Sequence, residues 1–172
     1  MTLVSVNDLV IVNDLEGTTK EIFMDQSFFT GYKKTCLEET DTIVSVLIPY
    51  TTQAQHMYGY KQANRKEDDI SIVNAGMWVE LADNKIQEIR LAFGGMHSTT
   101  LFAIDTMTHL KGRAWDESIL ETAKEKLPGD LKLSPGAPGG MVAYRRTLTI
   151  SFFQKFYLAV TDALLQQIDK TK

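Results

Sequence analysis

Residues 70–93 read ISIVNAGMWVELADNKIQEIRLAF, two mostly apolar runs separated by a polar turn. A long strand is predicted at 70–81, a hairpin turn at Asn84-Lys85, and a return strand at 86–93 in which Ile86, Ile89, Leu91 and Phe93 are apolar. A connection this short joins antiparallel neighbours, because parallel strands need a crossover of a dozen residues or more. The stretch therefore predicts the centre of an antiparallel sheet.

The chain before this hairpin predicts more strands. The first predicted run, 3–12, is mostly apolar, and its part at 9–12 is expected to form a hairpin with a strand at 20–24. Residues 43–49 are rich in β-branched side chains and end at a proline. A further strand is predicted at 58–63, with Tyr58 and Tyr60 on one face. Residues 26–40 are expected to be irregular.

The C-terminal half changes to a helical period. One helix is predicted at 99–110, capped by Ser98 or Thr99, and a second at 116–127, capped by Asp116 and stopped by Pro128-Gly129. The last helix is predicted at 141–168, with one buried face formed by Leu148, Phe152, Phe156, Val160 and Leu164. Because strands come first and helices follow, the predicted class is α+β: an antiparallel sheet packed with helices, ending in a long C-terminal helix.

Composition excludes several classes of function. The chain has 172 residues and a net charge of −4, which argues against general nucleic-acid binding and against docking on anionic membranes. No segment reaches the ~20 apolar residues that span a bilayer, and the N-terminus lacks the basic region of a signal peptide. The lone Cys36 cannot form an internal disulfide or hold an iron–sulfur cluster. His56, His97 and His109 lack metal-ligand spacing, so no metal site and no catalytic residue is predicted.

Two segments carry unusual residue combinations. The run KQANRKEDDI at 61–70 follows a predicted strand and mixes both signs of charge. It is either a solvated loop whose charges neutralise each other, or a loop beside an anionic, redox-active ligand. The run APGGM at 137–141 opens the last helix and is either a tight turn or an anion-binding helix terminus.

Four segments together resemble the flavin domain of xanthine dehydrogenases, in the molybdenum hydroxylase family. They are GYKQANRKEDDISIVNAGMWV, LAFGGM, APGGMVAYRRTL and SFFQKFYLAV. The likeness extends from about residue 28 to about residue 165. It implies a homodimeric oxidoreductase in which purines (hypoxanthine and xanthine) are hydroxylated at a molybdopterin centre. Electrons then pass through two [2Fe–2S] clusters to FAD and on to NAD⁺ or O₂.

The resemblance also assigns site residues. Ile43 and Lys61 match FAD contacts of the family. The 65–69 loop resembles a mobile loop beside the flavin, with Asp68 as the acidic residue close to the ring and Arg65 as the arginine that modulates its charge. Lys66 stands where the family has a second arginine, and lysine lacks the planar fork that arginine offers for bidentate contacts. Gln154 interrupts a run that is usually all phenylalanine.

The resemblance implies an incomplete FAD site. The family's glycine-rich pyrophosphate loops, its cluster cysteines and its molybdenum-site residues are not found, so molybdopterin and the 2Fe–2S clusters are not expected to bind this chain. Residues 1–52 are expected to be the C-terminal remnant of an FAD-binding subdomain, and 53–172 the flavoprotein C-terminal α+β subdomain. The expected partners are the remaining domains of the parent enzyme.

Two alternatives stay open. The related aldehyde oxidases share this architecture, and a free-standing, non-catalytic α+β module could instead bind a partner through an exposed face. The expected location is cytoplasmic, with the peroxisome as the alternative. A fragment of this kind is not expected to be active alone.

Overall fold

The smaller of two antiparallel sheets begins the fold. The computed structural model describes residues 9–170, so the part of the first predicted strand at 3–8 lies outside the described residues. The strands are β1 (Leu9–Asn13), β2 (Thr19–Phe23) and β3 (Thr42–Leu47), in the order β2-β1-β3. The predicted N-terminal hairpin is confirmed, with Leu9 opposite Phe23 and Asn13 opposite Thr19.

The larger sheet contains the predicted hairpin, whose first strand begins at Val73, three residues later than predicted. Its strands are β4 (Gln55–Gln62), β5 (Val73–Ala82), β6 (Lys85–Gly94) and the short β7 (Leu101–Phe102), in sequential order. The turn between β5 and β6 is centred on Asp83 and Asn84, one residue earlier than predicted. Both residues have positive φ, 51° and 57°, which two-residue turns of this hand require and which Asp and Asn tolerate. The α+β class with antiparallel sheets is confirmed.

The first helix is shorter than predicted. The predicted helix at 99–110 is wrong in its first half: residues 101–102 form β7, paired with β6, and α1 spans Ile104–Leu110. Neither Ser98 nor Thr99 caps it, because strand pairing with β6 takes the backbone of residues 101–102 and delays the helix. Its N-terminal N–H groups are instead satisfied by a carboxylate from the next helix.

The second helix, α2, spans Ser118–Asp130 and passes through Pro128. The predicted stop at Pro128-Gly129 is therefore wrong by two to three residues. Pro128 lacks a backbone N–H, so α2 loses one hydrogen-bond donor near its C-terminal end. The Leu131 N–H still donates to Leu127 O at 2.9 Å, which completes the last turn. The helix begins at Ser118, two residues later than predicted, with Glu117 and not Asp116 at the N-cap position; Asp116 still accepts a hydrogen bond from Ser118 N at 2.9 Å.

The long helix α3, Val142–Lys170, supplies most of the core. The predicted stripe is confirmed: Leu148, Phe152, Phe156 and Val160 are buried, and Leu164 packs against the same cluster. Trp115 packs edge-on against Phe156 and donates from Nε1 to Thr161 Oγ1 at 3.1 Å. The core therefore lies between α3 and one face of the larger sheet.

Residues 48–54 connect the two sheets. The predicted division after residue 52 falls inside this connection and stays a prediction. Among the described residues, no helix is long and apolar enough to cross a bilayer.

Candidate functional site

The end of β4 exposes Lys61 on the outer face of the larger sheet. Successive side chains of a strand point to opposite faces. Tyr58 and Tyr60 point inward, where Tyr60 stacks on Phe152 with ring centroids 5.6 Å apart and Tyr58 packs edge-on against Phe156. This confirms that the two tyrosines share a face. Lys61 consequently points away from α3, and it is exposed.

A row of three residues crosses the sheet at this end. Lys61 lies opposite Asn74 on β5, and Asn74 lies opposite Gly94 on β6. Asn74 Nδ2 donates to Ser71 Oγ at 2.8 Å. A Cβ added at Gly94 would come within 2.6 Å of Asn74 Oδ1, so the absence of a side chain at 94 leaves room for that amide. Sequence reasoning missed Asn74, because its position beside Lys61 depends on the pairing register of β4 and β5.

The loop after Lys61 is held by its own polar groups. The Arg65 backbone N–H donates to Asp69 Oδ2 at 2.8 Å, and Arg65 Nη2 donates to Asp68 O at 2.8 Å. Asp68 has a positive φ of 47°, a conformation that Asp tolerates better than most residues. The Arg65 side chain remains 71% exposed. The loop therefore has a defined shape, with the Arg65 side chain facing solvent and the less exposed Asp69 carboxylate 4.0 Å from its Nη2.

Residues 61–66 line a shallow pocket of about 380 Å³. Three of its lining side chains, those of Lys61, Arg65 and Lys66, are cationic, and none of the lining residues that the structure describes is acidic. Clustered positive charge in a concave site raises the local concentration of anions. This pocket is suited to a phosphate or a polarised carbonyl oxygen.

A second pocket, of about 450 Å³, lies where the segment after β2 meets the loop after β6. It shares Gly94 with the row just described and is lined by Lys33, Lys34 and His97, among others. Gly95 has φ of 83°, and a Cβ there would collide with Ile72 O, so this glycine is required for the turn. The two pockets thus flank the Lys61–Asn74–Gly94 row.

Ile43 lies on β3 of the smaller sheet, opposite Val12, and is 51% exposed. It is not among the residues that line the cationic pocket. All six residues of β3 are exposed, and β3 is an edge strand. The structure therefore brings Lys61, Arg65 and Asp68 to one end of the larger sheet, whereas Ile43 belongs to the smaller sheet.

The run at 137–141 forms a tight turn. Gly139, Gly140 and Met141 all have positive φ, and Gly140 N donates to Ala137 O at 3.0 Å. Arg145 closes the turn by donating to Pro138 O at 2.9 Å and to Gly95 O at 3.1 Å. The glycines thus shape a connection between the start of α3 and the loop after β6.

No group of three or more His, Cys, Asp or Glu side chains that could hold a metal ion occurs within residues 9–170. Cys36 is exposed and unpaired with another cysteine.

Comparison with known proteins identifies the family. The model of the CO dehydrogenase flavoprotein C-terminal domain matches residues 58–160. The chain belongs to this family. Its flavoprotein C-terminal domain comprises the larger sheet from β4 onward and the three helices up to residue 160 of α3.

Curated relatives confirm the resemblance to xanthine dehydrogenases. A xanthine dehydrogenase/oxidase of Gallus gallus is 47% identical over 152 residues, which are 87% of this chain and 11% of that protein. A xanthine dehydrogenase of Calliphora vicina is 39% identical over 156 residues, 88% of this chain and 12% of the relative. The chain is thus homologous to a segment of an oxidoreductase and spans about a tenth of the length of the curated relatives it matches.

Solved structures share the fold of this flavoprotein domain. Carbon monoxide dehydrogenase from Hydrogenophaga pseudoflava, lacking the Mo-pyranopterin moiety of its molybdenum cofactor, superposes with a TM-score of 0.80 at 17% identity, covering 92% of this chain and 54% of that one. Quinoline 2-oxidoreductase from Pseudomonas putida 86 gives 0.72 at 24% identity, with 90% and 52% coverage. At this identity the likeness establishes the fold alone.

Proposed function

We propose that this chain supplies one wall of the FAD site of a xanthine dehydrogenase-type oxidoreductase. When bound, FAD would supply the electron carrier between [2Fe–2S] clusters and NAD⁺ or O₂ in the hydroxylation of hypoxanthine and xanthine. The family match, the 39–47% identity to xanthine dehydrogenases and the cationic pocket support the proposal.

The exposed position of Lys61 carries the proposal. Its ammonium group is a mobile point charge at the end of a rigid strand, next to Asn74 and at the rim of a cationic pocket. An FAD phosphate or ring carbonyl oxygen is a suitable acceptor for such a group. The donor set therefore fits part of an FAD site, with the rest supplied by other segments.

The loop residues have a different proposed role. Asp68 and Arg65 are exposed charges on a loop that its own hydrogen bonds hold in shape. Beside a flavin ring, the carboxylate opposes the uptake of electrons and the guanidinium favours it. Lys66 adds positive charge without the bidentate geometry of an arginine.

The remaining assignments follow from the proposed enzyme. Residues 1–52 form the end of an FAD-binding subdomain, and Ile43 offers the flavin an apolar contact from it. Molybdopterin and the iron–sulfur clusters lie in the other domains, which are the partners of this chain in a homodimeric, cytoplasmic protein.

One observation favours a second candidate, a non-catalytic partner-binding module. Val44, Val46 and Leu47 on β3 are 42–56% exposed, so the smaller sheet presents an apolar edge. Exposed apolar patches of this kind recruit other proteins. The adjoining subdomain of a parent enzyme would cover the same surface.

A chimera tests the first proposal. The homologous segment of the Gallus gallus enzyme is replaced by this chain, and FAD content is measured per iron–sulfur cluster, which also reports folding. Gly59→Val is then introduced, because Gly59 shares the outer face with Lys61 and a Cβ there meets no atom within 4 Å. Valine suits a strand, so the fold should persist while the flavin face is obstructed.

The matched control is Gly136→Val, a loop glycine whose added Cβ also meets nothing within 4 Å. We expect the Gly59 variant to retain less FAD per iron–sulfur cluster than the control, because the valine side chain would obstruct the flavin face. Equal FAD content in both variants would refute a flavin at this face.

A further inference from the structure

A cavity of about 610 Å³ lies at the opposite end of the larger sheet from Lys61. It is a half-open pocket, bordered by the start of β4, the turn between β5 and β6, and the last turns of α3. Along β4, His56 and Lys61 are five residues apart, roughly 17 Å at the rise of a strand. The described residues of the lining are Gln53, Ala54, His56, Leu81, Asp83, Asn84, Leu164, Gln167 and Ile168.

His56 is the unusual member of this lining. It points to the inner face of the sheet, as Tyr58 does, and is only 7% exposed. Its Nε2 has no hydrogen-bond partner among the described residues. Buried polar atoms of native proteins are nearly always paired, so an orphaned nitrogen in a cavity wall calls for a partner from outside the fold.

The lining defines the chemistry of that partner. Leu81, Leu164 and Ile168 offer an apolar surface, and burial lowers the pKa of His56, which keeps the imidazole neutral near pH 7. Among the described residues, the lining contains the carboxylate of Asp83 and no lysine or arginine, so this part of the lining disfavours an anion. The volume is within the range of small-molecule sites, about 300–1,000 Å³.

We propose that this cavity binds a small uncharged molecule with an apolar body and one hydroxyl or N–H group, which forms a hydrogen bond with His56 Nε2. Gln167 Nε2 donates to Gln53 O at 3.5 Å, so the end of α3 is linked to the strand that carries His56. The site is separate from the flavin face and does not depend on the proposed electron transfer.

Phenol and toluene are matched probes for this proposal. They have similar shapes, but only phenol has a hydroxyl. This group can donate to His56 Nε2 in one tautomer or accept from it in the other. The ¹⁵N-labelled chain is titrated with each, and amide and imidazole NMR signals are followed. We expect both probes to shift signals at 53–56 and 164–168, with phenol binding about fivefold more tightly, the contribution of one neutral hydrogen bond.

His56→Phe should reverse the order of the two probes, because an apolar wall prefers toluene. This variant removes an unpaired buried nitrogen, so it is expected to fold. His109→Phe, on the exposed face of α1, should leave the order unchanged. Tighter binding of toluene by the unaltered chain would overturn the proposal. So would the absence of shifts at 53–56 and 164–168, or a preference for phenol that survives in His56→Phe.

Discussion

Asp130, the last residue of α2, caps α1 through Thr106. Asp130 Oδ2 accepts hydrogen bonds from Thr106 N at 2.8 Å and from Thr106 Oγ1 at 2.7 Å, while Oδ1 accepts one from Asp105 N at 3.0 Å. Thr106 is fully buried. A carboxylate near a helix N-terminus also complements the helix dipole. The two helices are therefore linked by an interaction that spans 24 positions of sequence.

Replacing Asp130 with alanine should lower the free energy of unfolding by about 1–2 kcal/mol, the usual effect of losing an N-cap. Urea denaturation of the chain measures this change. Glu125→Ala is the matched control, because Glu125 is an exposed acidic residue of the same helix. If the two variants were equally stable, the cap would contribute nothing.

The same interaction explains why α1 was predicted poorly. Ser98 and Thr99 are good capping residues, but the real cap is 24 positions away from Thr106. The pairing of Leu101 and Phe102 with β6 is likewise a tertiary contact that overrides the local helical spacing. The long strands and α3 were predicted well because each has its apolar pattern within one continuous segment.

Lowering the pH should destabilise the chain through His56. Burial lowers the pKa of His56 in the folded state, so the unfolded chain binds the proton more readily. The contribution of neutral His56 to the free energy of unfolding is therefore complete above the pKa of the unfolded chain, about 6.5. It decreases as the pH falls below that value. Thermal midpoints at pH 7.5 and 5.0 should differ more for the unaltered chain than for His56→Phe. Identical pH dependence in the two would contradict this account.

Carboxylates with lowered pKa values do not affect the comparison of thermal midpoints at pH 7.5 and 5.0. Hydrogen bonds from Thr18 and Ser118 lower the pKa of Asp14 and Asp116, respectively. The ordinary pKa of an aspartate is near 4, so the contribution of these two carboxylates to stability decreases only at a more acidic pH than the range compared.

Removing the charge of Asp68 should make the flavin easier to reduce. In the chimera, Asp68→Asn eliminates a negative charge beside the ring, so the midpoint potential of bound FAD should rise. Asp83→Asn is the matched control, because Asp83 has a similar positive φ, 51° against 47°, and lies at the other end of the sheet. Spectroelectrochemical titration measures both. A shift of equal size in the control would mean that Asp68 is not near the flavin.

The candidate site was predictable only in part. Lys61, Arg65 and Asp68 are close in sequence, so a resemblance of one segment was enough to name them. Asn74 and Gly94 join Lys61 only through strand register, and the second pocket needs the segment after β2 to meet the loop after β6. The cavity at His56 depends on where the last turns of α3 lie against β4, which no local pattern specifies.

The most direct test of the flavin-site proposal is the FAD dissociation constant of the chimera with Lys61→Ala. Lys85→Ala is the control, because Lys85 is also an exposed lysine at a strand end of the same sheet. If Lys61 contacts FAD, its removal should weaken binding about tenfold or more, as the loss of a charged hydrogen bond of about 1.5–3 kcal/mol implies, while Lys85→Ala binds normally. Equal dissociation constants for the two variants would contradict the claim that this face of the sheet holds the flavin.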